Sequence, residues 1–253
     1  MLTQLIDCDC LLGRPRTPLP DVTPCMDDLE AQMQRLGITR ALVRHRACIE
    51  AAPELGNAAL LDETRGHGNL LPVWYVTIDG IEGDFDPRRM VTTLLARGAR
   101  TAWATTGDRD VAMPLNPWLA GEMLGALEEH RVPLLLLYPQ HSPDTLHEAM
   151  AAFPQLPFIL CQVPRVGRHP VFMALMKRHA NAYLCANAMF AVHRGIEGLC
   201  RCVGENRILF GSGYPQIEGG ASLAAVTYAD VPPDVKEAIA WRNADRLLKE
   251  VRP

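Results

Sequence analysis

Short apolar runs alternate with longer stretches of helical periodicity along the whole chain. Runs rich in Val, Leu, Ile and Ala fall at residues 5–10, 41–44, 70–76, 99–104, 134–137, 158–162, 182–186 and 208–211. They are almost continuously apolar rather than alternating, the pattern of strands buried on both faces. Between them, Met26, Leu29, Met33 and Leu36 recur at helical spacing, with Gly37 as a stop signal. Helical stretches also occupy residues 88–97, 118–130, 146–153, 171–179, 195–203 and 234–250. Strands alternating with helices predict parallel βαβ units. Eight such units predict closure into a single (β/α)8 TIM barrel, because an open sheet leaves two edges to protect. An open doubly wound sheet is the other possibility. It fits less well because no Gly-rich dinucleotide fingerprint follows any strand.

The length of 253 residues suits one such barrel across the whole chain. Hydrophobic residues make up 48% and charged residues 21%, with a net charge of −4. That weak charge predicts neither nucleic-acid binding nor a membrane surface as partner. No apolar run reaches the roughly 18 residues of a membrane span, and residues 1–5 carry no signal-peptide pattern. A cytoplasmic location is the expectation. The eight cysteines read as small buried hydrophobes, since the pairs Cys8/Cys10 and Cys200/Cys202 lack the spacing of structural zinc. The proline-dense stretch 15–24, with Pro18 and Pro20, is either a stiff surface loop or part of a barrel mouth.

Several stretches in order resemble the amidohydrolase-related family, which includes aminocarboxymuconate semialdehyde decarboxylase-like proteins. Ile6-Asp7-Cys8-Asp9-Cys10-Leu11-Leu12-Gly13 is similar to the family's first strand, Ile-Asp-x-His-x-His-x-Gly. Leu36-Gly37-Ile38-Thr39-Arg40-Ala41 resembles its passage into strand two, Asn69 to Trp74 its strand three, and Leu115-Asn116-Pro117 its approach to strand five. Arg207-Ile208-Leu209-Phe210-Gly211-Ser212-Gly213-Tyr214-Pro215 resembles strand eight, Arg-Ile-Leu-Phe-Gly-Ser-Asp-x-Pro, and Asn243-Ala244 the closing helix.

The resemblance implies a divalent metal, usually zinc. Its ligands would be the two strand-one histidines, histidines ending strands five and six, and the strand-eight aspartate. This chain has Asp9, Leu11, Leu137, Gln162 and Gly213 at those positions. Leucine and glycine side chains carry no donor, so the expectation is no metal. Zinc or another divalent ion fits only if ligands have relocated, for example to Asp9, His45, His141 and His193.

Barrel chemistry sits at the C-terminal ends of the strands. Asp9, His45 and His193 are the candidate acid–base groups. Asp9 could equally be a paired buried carboxylate, and the two histidines loop residues in solvent. Arg44, Tyr138, His141, Gln162, Arg165, Asn187 and Tyr214 are the candidate substrate-binding residues, with Asp108 and Ser212 as further polar strand ends. Arginines there suit a substrate carboxylate. Cys161 is a weak candidate nucleophile, and Gly211-Ser212-Gly213 is not a Gly-x-Ser-x-Gly elbow. His67, His130, His147, His169 and His179 read as surface residues.

Three functions fit. One is a divergent hydrolase or decarboxylase-like enzyme acting on a small carboxylated or carbonyl substrate without the usual metal site. Another is a non-catalytic barrel that binds a small molecule or partner. The third is a metal hydrolase with relocated ligands. Homo-oligomerisation is a further expectation from the resemblance.

Overall fold

The computed structural model describes residues 2–17, 24–78, 85–105, 114–166, 168–187 and 192–253. Asp108, Pro18 and Pro20 lie outside these residues. Eight parallel strands form one sheet in chain order. They are β1 (Ile6–Leu12), β2 (Arg40–His45), β3 (Leu70–Tyr75), β4 (Thr101–Trp103), β5 (Leu134–Leu137), β6 (Phe158–Cys161), β7 (Ala182–Ala186) and β8 (Ile208–Phe210). Beyond β8, Tyr214 bridges Cys10, and Leu11 N donates to Tyr214 O at 3.0 Å, which brings the last strand round to the first. The fold is the expected TIM barrel.

The helices are α1 (Met26–Leu36), α2 (Ala47–Glu50), α3 (Pro53–Glu63), α4 (Pro87–Ala96), α5 (Pro117–Glu129) and α6 (Pro143–Ala152). They continue with α7 (Pro170–Arg178), α8 (Gly195–Val203), α9 (Gly220–Thr227), α10 (Pro233–Glu237) and α11 (Asn243–Lys249). Six of these start on proline, whose fixed φ and missing N–H suit the first helical position. Gly37 ends α1 at φ 70°, and Ile38 N closes the motif on Met33 O at 2.9 Å. The periodic stretch 234–250 is helical without a break as far as Lys249. A π-helical turn at Ala238–Arg242 joins α10 to α11. Neither α3 nor α9 shows a clear apolar stripe, which is why the sequence pattern did not reveal them. No helix among the described residues is long and apolar enough to cross a membrane.

Two apolar layers follow from the strands. Cys8, Leu42, Val73, Trp103, Leu135, Ile159, Cys161, Cys185 and Leu209 fill the barrel interior. Alternate residues such as Leu12, Val43, Leu136, Leu160, Leu184 and Phe210 pack against the helices. Asn181 Nδ2 donates to the carbonyls of Met150, Phe153 and Leu156 at 3.2, 2.9 and 3.1 Å. Asn243 Nδ2 ties α11 to Glu205 O and Ile208 O at 2.8 and 2.9 Å. Both residues satisfy carbonyls that burial would otherwise leave unpaired.

Candidate active site

β1 does not alternate regularly. Asp7 pairs with Ala41 and Cys10 with Val43, so Cys8 and Asp9 together face Leu42 alone. This is a β-bulge, a device that re-aims side chains near functional sites. Its effect is that Cys8 and Asp9, adjacent in sequence, both join the interior. Cys8 belongs to the interior cluster, and the Asp9 carboxylate lies with Cys161 and Cys185.

Asp9 is buried and held from two sides. Arg44 Nη2 on β2 forms an ion pair with Asp9 Oδ1, their side chains 4% and 2% exposed. Asn187 Nδ2, just past β7, donates to Asp9 Oδ2 at 3.3 Å. Burial pushes the Asp9 carboxyl above the usual carboxylate range; Arg44 and Asn187 oppose that shift. The Arg44 guanidinium carbon sits 5.5 Å from the centroid of the Trp103 ring. Arg44 Nε and Trp103 Nε1 are both buried and without a hydrogen-bond partner. Below Asp9, the Asp7 carboxylate accepts from Asp9 N at 3.0 Å and Ser212 N at 2.8 Å, which locks β1 to the end of β8. Sequence reasoning missed Asp7 and Trp103 because nothing in their local pattern sets them apart from other strand residues.

The structure brings together only some of the candidate residues. Asp9, Arg44 and Asn187 form one network. His45 is the neighbour of Arg44 on β2, and its Nε2 lies 3.3 Å from Glu63 on α3 while Nδ1 accepts from Ala47 N. His193 is exposed and lines a cavity of about 340 Å³ bounded by the end of β7, α8 and α9. Asn187 lines the same cavity, so the cavity comes within one side chain of Asp9.

Tyr138 packs edge-on against Phe172 and His169 in the helix layer, with ring centroids 5.5 and 5.6 Å away. The Tyr214 hydroxyl donates to Cys25 O at 3.2 Å. Gln162 Nε2 donates to Gln216 at 3.3 Å, and Arg165 is exposed. Gln162 and Arg165 both take positive φ, 58° and 52°. His141 is 8% exposed, and neither ring nitrogen has a partner. Burial lowers its pKa to about 4.

Some expectations need correcting. His179 is buried, and its Nε2 lies 2.7 Å from His147 Nδ1, so this pair is not simple surface. Burial pushes the Cys161 thiol up, which disfavours the free thiolate that a nucleophile requires. The expectation of no metal is not supported either. Ligand atoms of Asp9, Cys161 and Cys185 lie within 4.8 Å of one another, the one such group found among the described residues. His45, His141 and His193 do not belong to it.

A family model described as amidohydrolase matches residues 13–249, and the chain belongs to that family. No curated protein matches. Among solved structures, the chain is similar to a 2,6-dihydroxybenzoate decarboxylase complexed with 2,6-dihydroxybenzoate, at TM-score 0.78 and 15% identity over 98% of this chain and 100% of that one. It is also similar to the 2,6-dihydroxybenzoate decarboxylase from Rhizobium, at TM-score 0.76 and 16% identity over 98% and 99%. A third is a dihydroxybenzoic acid decarboxylase from Polaromonas sp. JS666 with bound manganese and the inhibitor 2-nitroresorcinol. It gives TM-score 0.76 and 14% identity over 98% and 97%. At these identities the likeness is one of fold.

The residues present do not suit manganese at the positions where the family resemblance places its ligands. Leu11 and Leu137 offer no lone pair, and Gly213 has no side chain. Manganese prefers several carboxylate, carbonyl or water oxygens. Here the side-chain donors that converge are one carboxylate and two thiols.

Proposed function

We propose that this chain is a divergent enzyme of the amidohydrolase family, hydrolase or decarboxylase-like, that acts on a small carboxylated or carbonyl substrate. In this reading the family's histidine metal set is lost. The observation that carries it is the buried Asp9–Arg44–Asn187 network, with Arg44 Nε still unpartnered. An unpartnered guanidinium donor in a low-dielectric interior favours an incoming anion, and a substrate carboxylate is the simplest one.

Asp9 is the proton-carrying group. Burial raises the Asp9 carboxyl, which favours its taking up a proton and passing it to a reacting carbon or oxygen. Arg44 orients the substrate and stabilises the negative charge that develops. Asn187 keeps Asp9 in place and forms the wall shared with the cavity that His193 lines. His193 is the second acid–base candidate.

The test is calorimetric binding of benzoate and hydroxybenzoates, each against its neutral amide, to the full-length protein in the presence of chelator. Carboxylates should bind at least about tenfold better than amides, the effect of one charge-assisted pair. Arg44→Met should abolish that preference, and Arg44→Lys should retain part of it. Equal binding of acids and amides by the wild type overturns the reading. So does an unchanged preference in Arg44→Met.

A further inference from the structure

Donor atoms from three strands meet inside the barrel. They are a carboxylate oxygen of Asp9 on β1, Sγ of Cys161 on β6 and Sγ of Cys185 on β7, all buried. The sheet register explains the two sulfurs. Leu160 pairs with Leu184, and Cys161 and Cys185 are the next residue on each strand. The bulge in β1 supplies the carboxylate. β8 supplies space, because a Cβ on Gly211 would lie 2.4 Å from Cys185 Sγ and 3.1 Å from Asp9 Cβ. Any other residue at 211 would close the place where the three meet.

Buried cysteines usually pack as small hydrophobes. These two face a carboxylate that is itself paired to a guanidinium, company that apolar packing does not require. We propose that Asp9, Cys161 and Cys185 form a site for a thiophilic divalent ion of the zinc type. It lies one residue earlier on β6 than Gln162, the position where the resembling family has its histidine.

The donor set suits such an ion. Thiolate and carboxylate are both zinc ligands, and thiolate discriminates against manganese and magnesium. Tetrahedral zinc with Zn–S bonds of about 2.3 Å spaces its sulfurs roughly 3.8 Å apart, within the 4.8 Å that bounds the three donor atoms here. Charge also balances. Two thiolates and one carboxylate carry three negative charges, which a divalent ion and the Arg44 guanidinium neutralise. On binding, each thiol loses its proton to solvent and a metal–sulfur bond forms; nothing is oxidised or reduced. Burial pushes both thiols up, and the Cys161–Cys185 contact is the first cause for Cys185. Occupancy therefore depends steeply on pH.

Ion and proton compete for the Asp9 carboxylate, so the metal-bound chain is a different form from the acid–base form proposed above, and the inference is read without any substrate. Chelator-dialysed, reduced full-length protein is titrated anaerobically with cobalt(II), and thiolate-to-cobalt absorption in the near ultraviolet is recorded. One equivalent should bind, with the band displaced by zinc. Two protons leave, so apparent affinity should rise by up to about a hundredfold per pH unit. Cys161→Ser and Cys185→Ser should each lose about half the band and bind at least about tenfold more weakly, whereas Cys202→Ser in α8 should match the wild type. Cadmium NMR on the wild type counts thiolate ligands without any substitution, which covers a variant that fails to fold. Two thiolates are expected. Absence of the band, or a cadmium shift showing no thiolate, overturns the proposal. A band unchanged in both serine variants overturns it as well.

Discussion

Arg44 on β2 and Asp9 in the bulge of β1 form a buried ion pair whose carboxylate also accepts from Asn187. The two partners are not equivalent when one is removed. Arginine cannot shed its charge, whereas a carboxyl already pushed up by burial can take a proton.

Asp9→Ala should therefore destabilise the fold by about 3–5 kcal/mol at pH 7, the usual cost of stranding a buried charge. Arg44→Met should cost less, because Asp9 neutralises. Its folded pKa then stands further above the unfolded value. Stability of Arg44→Met is complete below the unfolded carboxyl pKa and declines as pH rises through the folded one. Urea unfolding of both variants from pH 4 to pH 8 checks the order and the slope. An equal loss in both variants at every pH would sink the argument.

His141 gives a pH dependence of the opposite sign. Its folded pKa is about 4, below the ordinary value of 6.5. Above 6.5 it is neutral in both folded and unfolded chains, and its contribution is complete. As pH falls from about 6.5 to about 4, the unfolded chain binds a proton that the folded one refuses. Stability should fall by about 3 kcal/mol over that window. The difference in unfolding free energy between wild type and His141→Leu, measured across it, isolates this contribution from that of His179. A difference that stays constant with pH contradicts it. At pH 7 the leucine variant should be about as stable as the wild type or slightly more so, because two unpartnered buried nitrogens are removed.

Restoring the family's strand-eight aspartate should fail. Gly213 has φ 79°, and a Cβ there would lie 2.7 Å from Ile217 Cδ1. Gly213→Asp should cost about 1–3 kcal/mol through backbone strain and crowding. It should also give no gain in manganese binding by calorimetry, since Leu11 and Leu137 remain. A stable variant that takes up manganese tightly would show that the backbone is not committed to glycine.

Much of the fold was legible in the chain itself. Near-continuous apolar runs found all eight strands, and two of them, Leu134–Leu137 and Ala182–Ala186, end where the structure ends them. Gly37 marked the end of α1, and the ordered resemblance gave the family. These signals are local: burial on both faces dictates composition, and left-handed caps need glycine.

The site depended on relations that no local pattern encodes. Strand alternation places Asp9 and Leu11 on one face, but the bulge adds Cys8 to the interior beside Asp9, because one strand carries a residue its neighbour lacks. Cys161 and Cys185 become partners only through the parallel register of β6 and β7, and Gly211 makes room for them from β8. Tyr138 and His45 were read as strand-end residues. Both stand at strand ends, and packing sets Tyr138 against Phe172 and His45 beside Glu63. The sequence thus determined the barrel and its family, since both rest on the order and hydrophobicity of segments. Which polar groups share the barrel interior was decided by the tertiary structure, because register and bulges set the direction of each side chain.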